Sequence, residues 1–380
     1  MNAAPENLKP LTTLRIFAAL WVVLFHFWPE LTTAPMPGLV AKGYLGVELF
    51  FVLSGFILCH VYLAAVGEGR FRYGSFLWAR LARIYPVHLA TLLGLGAMSV
   101  AAGLLGLDGS GKVLVWSSLP AELTLTHAWG LGLGGGWNHP SWSISAEWFA
   151  YLAFPLFAFA VWRLRARPFL AVALALALLA ALELGFEAVA GFPLTHATIA
   201  WGALRIVPCF ALGCAVHLLW RTTPLWSARK AVGLALIAAA GIVLCAELGG
   251  PDTLSIALFG LLILALGGLS RSGSSLLASP LGVYLGEVSF AVYMVCIPWM
   301  LVVTRAAHKL TGVADGPLPW PVWALMALGV IPAAMALHHV VERPARSAMR
   351  AWEASGFRLG RPSRLELRIR RYVLSPAAPS

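Results

Sequence analysis

The stretch Gly43-Tyr44-Leu45-Gly46-Val47-Glu48-Leu49-Phe50-Phe51-Val52-Leu53-Ser54-Gly55-Phe56-Ile57-Leu58-Cys59-His60-Val61-Tyr62-Leu63-Ala64-Ala65-Val66 decides the fold. It holds one carboxylate and one imidazole. As a helix rising about 1.5 Å per residue it reaches about 36 Å, enough to cross a hydrocarbon core of about 30 Å. Nine further apolar runs follow the same pattern, near Leu11 to Trp28, Ser75 to Leu105, Ser141 to Trp162, Pro168 to Ala190, Thr195 to Trp220, Lys230 to Leu248, Asp252 to Ser270, Leu281 to Arg305 and Trp320 to Val341. The prediction is an all-α, polytopic integral membrane protein with about ten transmembrane helices. Composition agrees, since 60% of the 380 residues are hydrophobic and 11% are charged, against roughly 25% charged in soluble domains. So few charges exclude an ordinary soluble enzyme. The first run lacks a basic segment followed by a small-residue cleavage site, so it reads as a retained helix.

The net charge of +11 admits nucleic acid, acidic substrates or lipid as partners, and the positions of the charges choose among them. With the N-terminus inside, 21 of the 27 Lys and Arg fall in cytoplasmic segments, including Arg80 and Arg83, Arg163 to Arg167, and nine residues from Arg343 onward. Lys42, Lys112, Arg305 and Lys309 fall on the other side. The surplus is therefore a topology signal that puts both termini in the cytoplasm, and it gives nucleic-acid binding little support. The basic tail, with Arg358, Arg361, Arg364, Arg368, Arg370 and Arg371 among leucines, reads either as an interfacial helix on anionic lipid or as a solvated tail. The outer loop from Gly106 to Pro140, with Gly130, Gly132, Gly134, Gly135 and Gly136, reads as a lid or as a plain connector. All five cysteines lie in apolar runs, with no His or Cys at zinc spacing, so no metal site is predicted.

Ionisable groups within spans are the candidates for chemistry. Arg15 and His26 are eleven residues apart, three helical turns plus roughly 20°, so they share one face at a spacing of about 16 Å. They read as parts of a site, or as an anchor in the inner headgroups and an interfacial histidine. Glu147, early in the fourth span, lies at about the depth of His26. A carboxylate there would orient the imidazole and leave its other nitrogen to take a proton from a hydroxyl, the minimum for general-base acyl transfer. Pairing with a loop cation, or simple hydration, explains Glu147 equally. Arg80 and Arg83, at i and i+3, suit phosphates, and positive-inside anchoring predicts the same pair. Glu48 is a third candidate at the depth of His26. Trp201 and Arg205, at i and i+4, suit a cation over an indole, with Arg205 orienting a substrate or neutralising Glu147.

Several segments then resemble the acyltransferase 3 family of membrane O-acyltransferases. They are Arg15 with His26, the run Gly46 to Phe56, Arg80-Leu81-Ala82-Arg83-Ile84-Tyr85-Pro86, Trp142-Ser143-Ile144-Ser145-Ala146-Glu147-Trp148-Phe149-Ala150-Tyr151, Leu285 to Met294, and Glu342-Arg343-Pro344. They stand in order from about residue 9 to 346, which divides the chain into a transmembrane domain, 9–346, and a basic cytoplasmic tail, 347–380. The resemblance implies transfer of an acyl group, usually acetyl from acetyl-CoA, to a hydroxyl of a carbohydrate or glycolipid acceptor at a bacterial inner membrane. It implies that His26 is the essential histidine and Arg15 its partner. It further implies that Arg80 and Arg83 are the CoA-linked pair and that Glu147 is the acidic residue of the fourth span. Glu48, Trp142 and Arg205 are placed on the acceptor side. One departure is Cys296, which stands where many relatives carry histidine in a Tyr-Leu-x-His pattern. A transporter or flippase for a glycan or lipid, its conduit lined by Arg15, His26 and Glu147, is the rival reading. A structural membrane subunit leaves Arg15 without a purpose.

Overall fold

A computed structural model describes residues 8–104, 114–131, 137–223, 227–313 and 316–356, and among these every regular element is helical. The main helices are α1 Lys9–Phe27, α2 Gly46–Gly67, α3 Tyr73–Leu104, α4 Ser141–Leu152, α5 Phe154–Arg163, α6 Pro168–Ala190, α7 Gly202–Thr222, α8 Ala228–Glu247, α9 Asp252–Arg271, α10 Pro280–Thr311, α11 Trp320–Leu337 and α12 Arg343–Ala354. Nine helical segments among the described residues are long and apolar enough to cross a membrane, and α4 with α5 makes up a tenth, bent by 56°. The chain is thus a multi-pass membrane protein. Lipid offers the backbone no hydrogen-bond partners, so an apolar chain satisfies them within its own helices.

Two predicted spans differ from straight rods. The run Ser141 to Trp162 breaks at Ala153, because Pro155 in the first turn of α5 lacks an N–H and its ring crowds the turn before it. The run from Thr195 becomes helical only at Gly202. Leu194–His196 is instead a 3-10 turn, from which Thr195 Oγ1 donates to Asp252 Oδ2 at 2.6 Å.

The innermost helix is α7, most of whose side chains are buried, whereas α6 and α11 turn side chains such as Val189 and Leu325 outward. Close backbone approach sets the helix order. A Cβ on Gly55 would lie 2.2 Å from the Phe210 carbonyl oxygen, and one on Gly213 would lie 1.9 Å from that of Val52, so α2 and α7 touch where only glycine fits. Gly286 lets α10 meet α1 in the same way, 2.0 Å from the Thr12 oxygen. These contacts fix α2 on α7 and α10 on α1.

The connection between α3 and α4 is packed where it is described. Asn138 Nδ2 donates to the Met294 carbonyl on α10 at 2.9 Å, and the Trp137 N–H donates to Glu122 Oε1 at 3.1 Å. Gly132, Gly134, Gly135 and Gly136, and the basic stretch from Arg358 to Arg371, lie outside the described residues. Helix α12 runs past residue 346 to Ala354 and docks on α3, where Trp78 Nε1 donates to the Met349 carbonyl at 2.8 Å. It is joined to α11 by a π-helical turn, His338–Glu342.

Candidate active site

Helix α1 threads two adjacent cavities, with Arg15 in the wall of one and His26 in the wall of the other. The helical period alone placed both on one face, and the tertiary structure puts a cavity against each end of that face. The two cavities share Val47 and Tyr293 as a common wall.

The arginine chamber, about 160 Å³, is walled by Arg15, Ser54, Arg80, Arg83, Glu147 and Tyr151 among apolar side chains. Arg83 is ion-paired with Glu342, and its guanidinium lies 5.3 Å from the Phe290 ring centre. Arg80 sits 5.8 Å from that of Tyr62. Arg80 Nε and Arg83 Nη2 are buried without a hydrogen-bond partner. Donors left open beside a cavity suit an anionic ligand, since an unpaired buried N–H is costly. The π-helical turn brings Glu342 to Arg83, and His338 Nδ1 lies 2.9 Å from its second oxygen. The closing Glu342-Arg343-Pro344 motif thus supports the arginine pair.

The histidine chamber, about 390 Å³, is walled by His26, His139, His196, Tyr44, Trp142 and Arg205, with Thr195 and Thr198 at its side. His26 Nδ1 lies 2.9 Å from the Val22 carbonyl oxygen. A carbonyl only accepts, so Nδ1 carries the proton and Nε2 keeps the lone pair. The His139 ring stands 6.4 Å from that of His26. Burial, then repulsion between the two rings when His26 is also protonated, then the charge of Arg205, hold the His139 imidazole below its ordinary pKa. Asp252 ties the rim together, pairing with Lys42 and accepting from Tyr44 at 2.8 Å and from Thr195.

Four sequence expectations change. Glu147 does not orient His26. Its Oε1 accepts from Ser54 Oγ at 2.9 Å and from Tyr151 at 2.5 Å in the arginine chamber, and a backbone carbonyl orients the histidine instead. The depth matched from the sequence did not place its carboxylate, which stands with Arg15 in the other chamber. Glu48, fully buried, is no wall residue of the histidine chamber, because its carboxylate pairs with Arg205. Arg205 therefore neutralises Glu48 and not Glu147. It stacks over Trp142, 4.5 Å from the ring centre, and not over Trp201, which precedes the first turn of α7 and is 46% exposed. Cys296 is fully buried, donates to the Tyr293 carbonyl at 3.1 Å and walls neither chamber. Arg15, Arg80, Arg83, His26, Trp142 and Arg205 do line the two cavities.

Sequence reasoning missed His139, His196, Tyr44, Tyr151 and Tyr293. Tyr151 and Tyr293 lay within segments that carry the family resemblance, and Tyr44 and His139 stood just before two of them, whereas His196 carried no comparable signal. It also missed a buried polar cluster beside the site. There Ser141 Oγ lies 3.1 Å from His127 Nε2 and 3.3 Å from Glu122 Oε2, and His88 Nε2 lies 2.9 Å from the Glu122 carbonyl oxygen. Burial lifts the Glu122 carboxyl to about 7, and burial, with His88 adding, lowers His127 to about 4. The cluster fastens the connection before α4 and walls neither chamber.

A family model described as an acyltransferase domain matches residues 10–339. The protein named acyltransferase MdmB, from Streptomyces mycarofaciens, is 31% identical over 372 residues, covering 89% of this chain and 91% of that one. Protein 2 in picA locus, from Rhizobium radiobacter, is 38% identical over 106 residues, 28% of this chain and 53% of that one. No solved structure matches the chain.

Proposed function

The chain belongs to the acyltransferase 3 family and is a membrane-embedded O-acyltransferase, and from that premise we propose that it transfers acetyl from cytoplasmic acetyl-CoA to a hydroxyl of a cell-surface or lipid-linked carbohydrate. The observation that carries this reading is the pair of cavities along α1, one rich in arginine and one rich in histidine, meeting at a shared wall. The membrane is a bacterial inner membrane, as the family resemblance implies, and the distribution of Lys and Arg favours both termini in the cytoplasm. Residues 9–346 form the catalytic unit, and α12 continues it to Ala354 by packing on α3.

Arg80 and Arg83 bind the donor's phosphates through their open N–H groups, with Arg15 carrying positive charge deeper along the same chamber. The acceptor enters the histidine chamber, where Trp142 offers a ring face and Arg205 holds that ring in place. Nε2 of His26 takes the proton of the acceptor hydroxyl as its oxygen attacks the thioester carbonyl. The new C–O bond forms, the C–S bond breaks, and the proton passes to the departing sulfur, which leaves as the free thiol. The Val22 carbonyl stabilises the imidazolium formed in between.

The direct test is acetyl transfer by membranes carrying His26→Ala at matched expression. A fall of at least about 100-fold is expected for loss of a general base. Undiminished transfer removes His26 from the mechanism. Glycan movement across the membrane without CoA release would instead favour a transporter.

A further inference from the structure

We propose that Val47 and Tyr293 form an acyl-length filter between the two chambers. This rests on the donor and acceptor assignment above. Donor phosphates held by arginines in one chamber, and an acceptor deprotonated in the other, can meet only where the chambers adjoin. The residues common to both walls are Val47 and Tyr293. Whatever acyl group is transferred must fit past them.

Both residues are held in place. The Tyr293 hydroxyl donates to the Pro140 carbonyl at 3.0 Å, and the Asn138 side chain holds the next residue, Met294, through its carbonyl. Tyr293 is therefore latched to the same loop that presents His139. Its ring also packs against Phe50 at 6.3 Å between centres. Val47 sits in the first turn of α2, directly after Gly46. A Cβ on Gly46 would lie 2.7 Å from the Ala18 carbonyl oxygen, so the start of α2 is pressed onto α1 and cannot back away. A β-branched side chain on a fixed backbone and a latched ring both border the two chambers. The width of the passage is thus set by the side chain at 47 and by whether the ring at 293 is latched.

A pocket that must accommodate one more methylene discriminates by about 10- to 200-fold. The experiment uses purified full-length wild type, Val47→Ala, Val47→Leu and Tyr293→Phe. Each is given acetyl-, propionyl- or butyryl-CoA, with a total surface-glycan extract from cells lacking the protein as acceptor. Released thiol and ester formed on the extract are both measured. Relative to wild type, the butyryl-to-acetyl ratio of kcat/KM rises at least tenfold in Val47→Ala and rises in Tyr293→Phe, where the latch is lost. The propionyl-to-acetyl ratio falls in Val47→Leu. Ratios equal across all four proteins within threefold, with wild type transferring acetyl, overturn the filter and leave the function standing. A wild type that releases no thiol from any of the three donors overturns the function, and the filter with it.

Discussion

His26 Nδ1 lies 2.9 Å from the carbonyl oxygen of Val22, one turn back on the same helix. The tautomer of the catalytic candidate is therefore set by its own helix, and the carboxylate of Glu147 is free for work in the other chamber. Glu147→Gln keeps an oxygen to accept from Ser54 and Tyr151 and is expected to change KM for acetyl-CoA by less than about tenfold. The pH at which the acidic limb of kcat/KM reaches half-maximum should stay where it is in wild type. A shift of that limb would return Glu147 to the role of His26's partner.

Arg83 and Glu342 come from helical segments 259 residues apart and make a pair with 14% and 1% side-chain exposure. Glu342→Ala leaves the guanidinium buried without its counter-charge and should cost about 3 kcal/mol. Adding Arg83→Met should recover part of that loss. Thermal unfolding of the two single variants and the double variant in detergent closes the cycle, and strictly additive losses would mean the pair is not coupled.

At the contact of α2 with α7, side chains are excluded by backbone. Gly55→Leu and Gly213→Val should each destabilise the protein by about 3 kcal/mol or more through overpacking. Gly185→Ala on α6, where an added Cβ meets nothing within 4 Å, should cost little. The readout is the midpoint of thermal unfolding. Equal midpoints for all three would contradict the packing.

Glu122 keeps its proton in the folded chain up to about pH 7, against an ordinary value of 4.5. The stability it lends is full below pH 4.5 and lost as pH rises through about 7. His127 acts in the opposite direction. It is held to about 4 against 6.5, so its stability is full above pH 6.5 and lost as pH falls through about 4. The two trends offset each other between about pH 4.5 and 6.5. Glu122→Gln removes one of them, so its unfolding midpoint should climb with pH up to about 6.5 more steeply than in wild type. Parallel curves for the two proteins would show that Glu122 does not titrate in this range.

The amino-acid sequence by itself determined the membrane character, the all-helical build and most span limits, because the cost of placing charge in lipid is settled by local composition. It also put Arg15 and His26 on one face, since the helical period fixes the angle between residues of one helix. Pro155 and the 3-10 turn at Leu194–His196 shifted two spans for local reasons that a hydropathy run passes over. Only the tertiary structure decided which groups meet. Depth along the bilayer can be estimated from position in a span, but the bearing of a side chain around its helix axis depends on which helices pack beside it. Glu147, Glu48 and His26 share a depth in the sequence, yet Glu147 faces Ser54 and Tyr151, Glu48 faces Arg205, and His26 turns to Val22. Glycines at 55, 213 and 286 set those neighbours by letting backbones touch, an effect of contact between distant segments that no single helix contains.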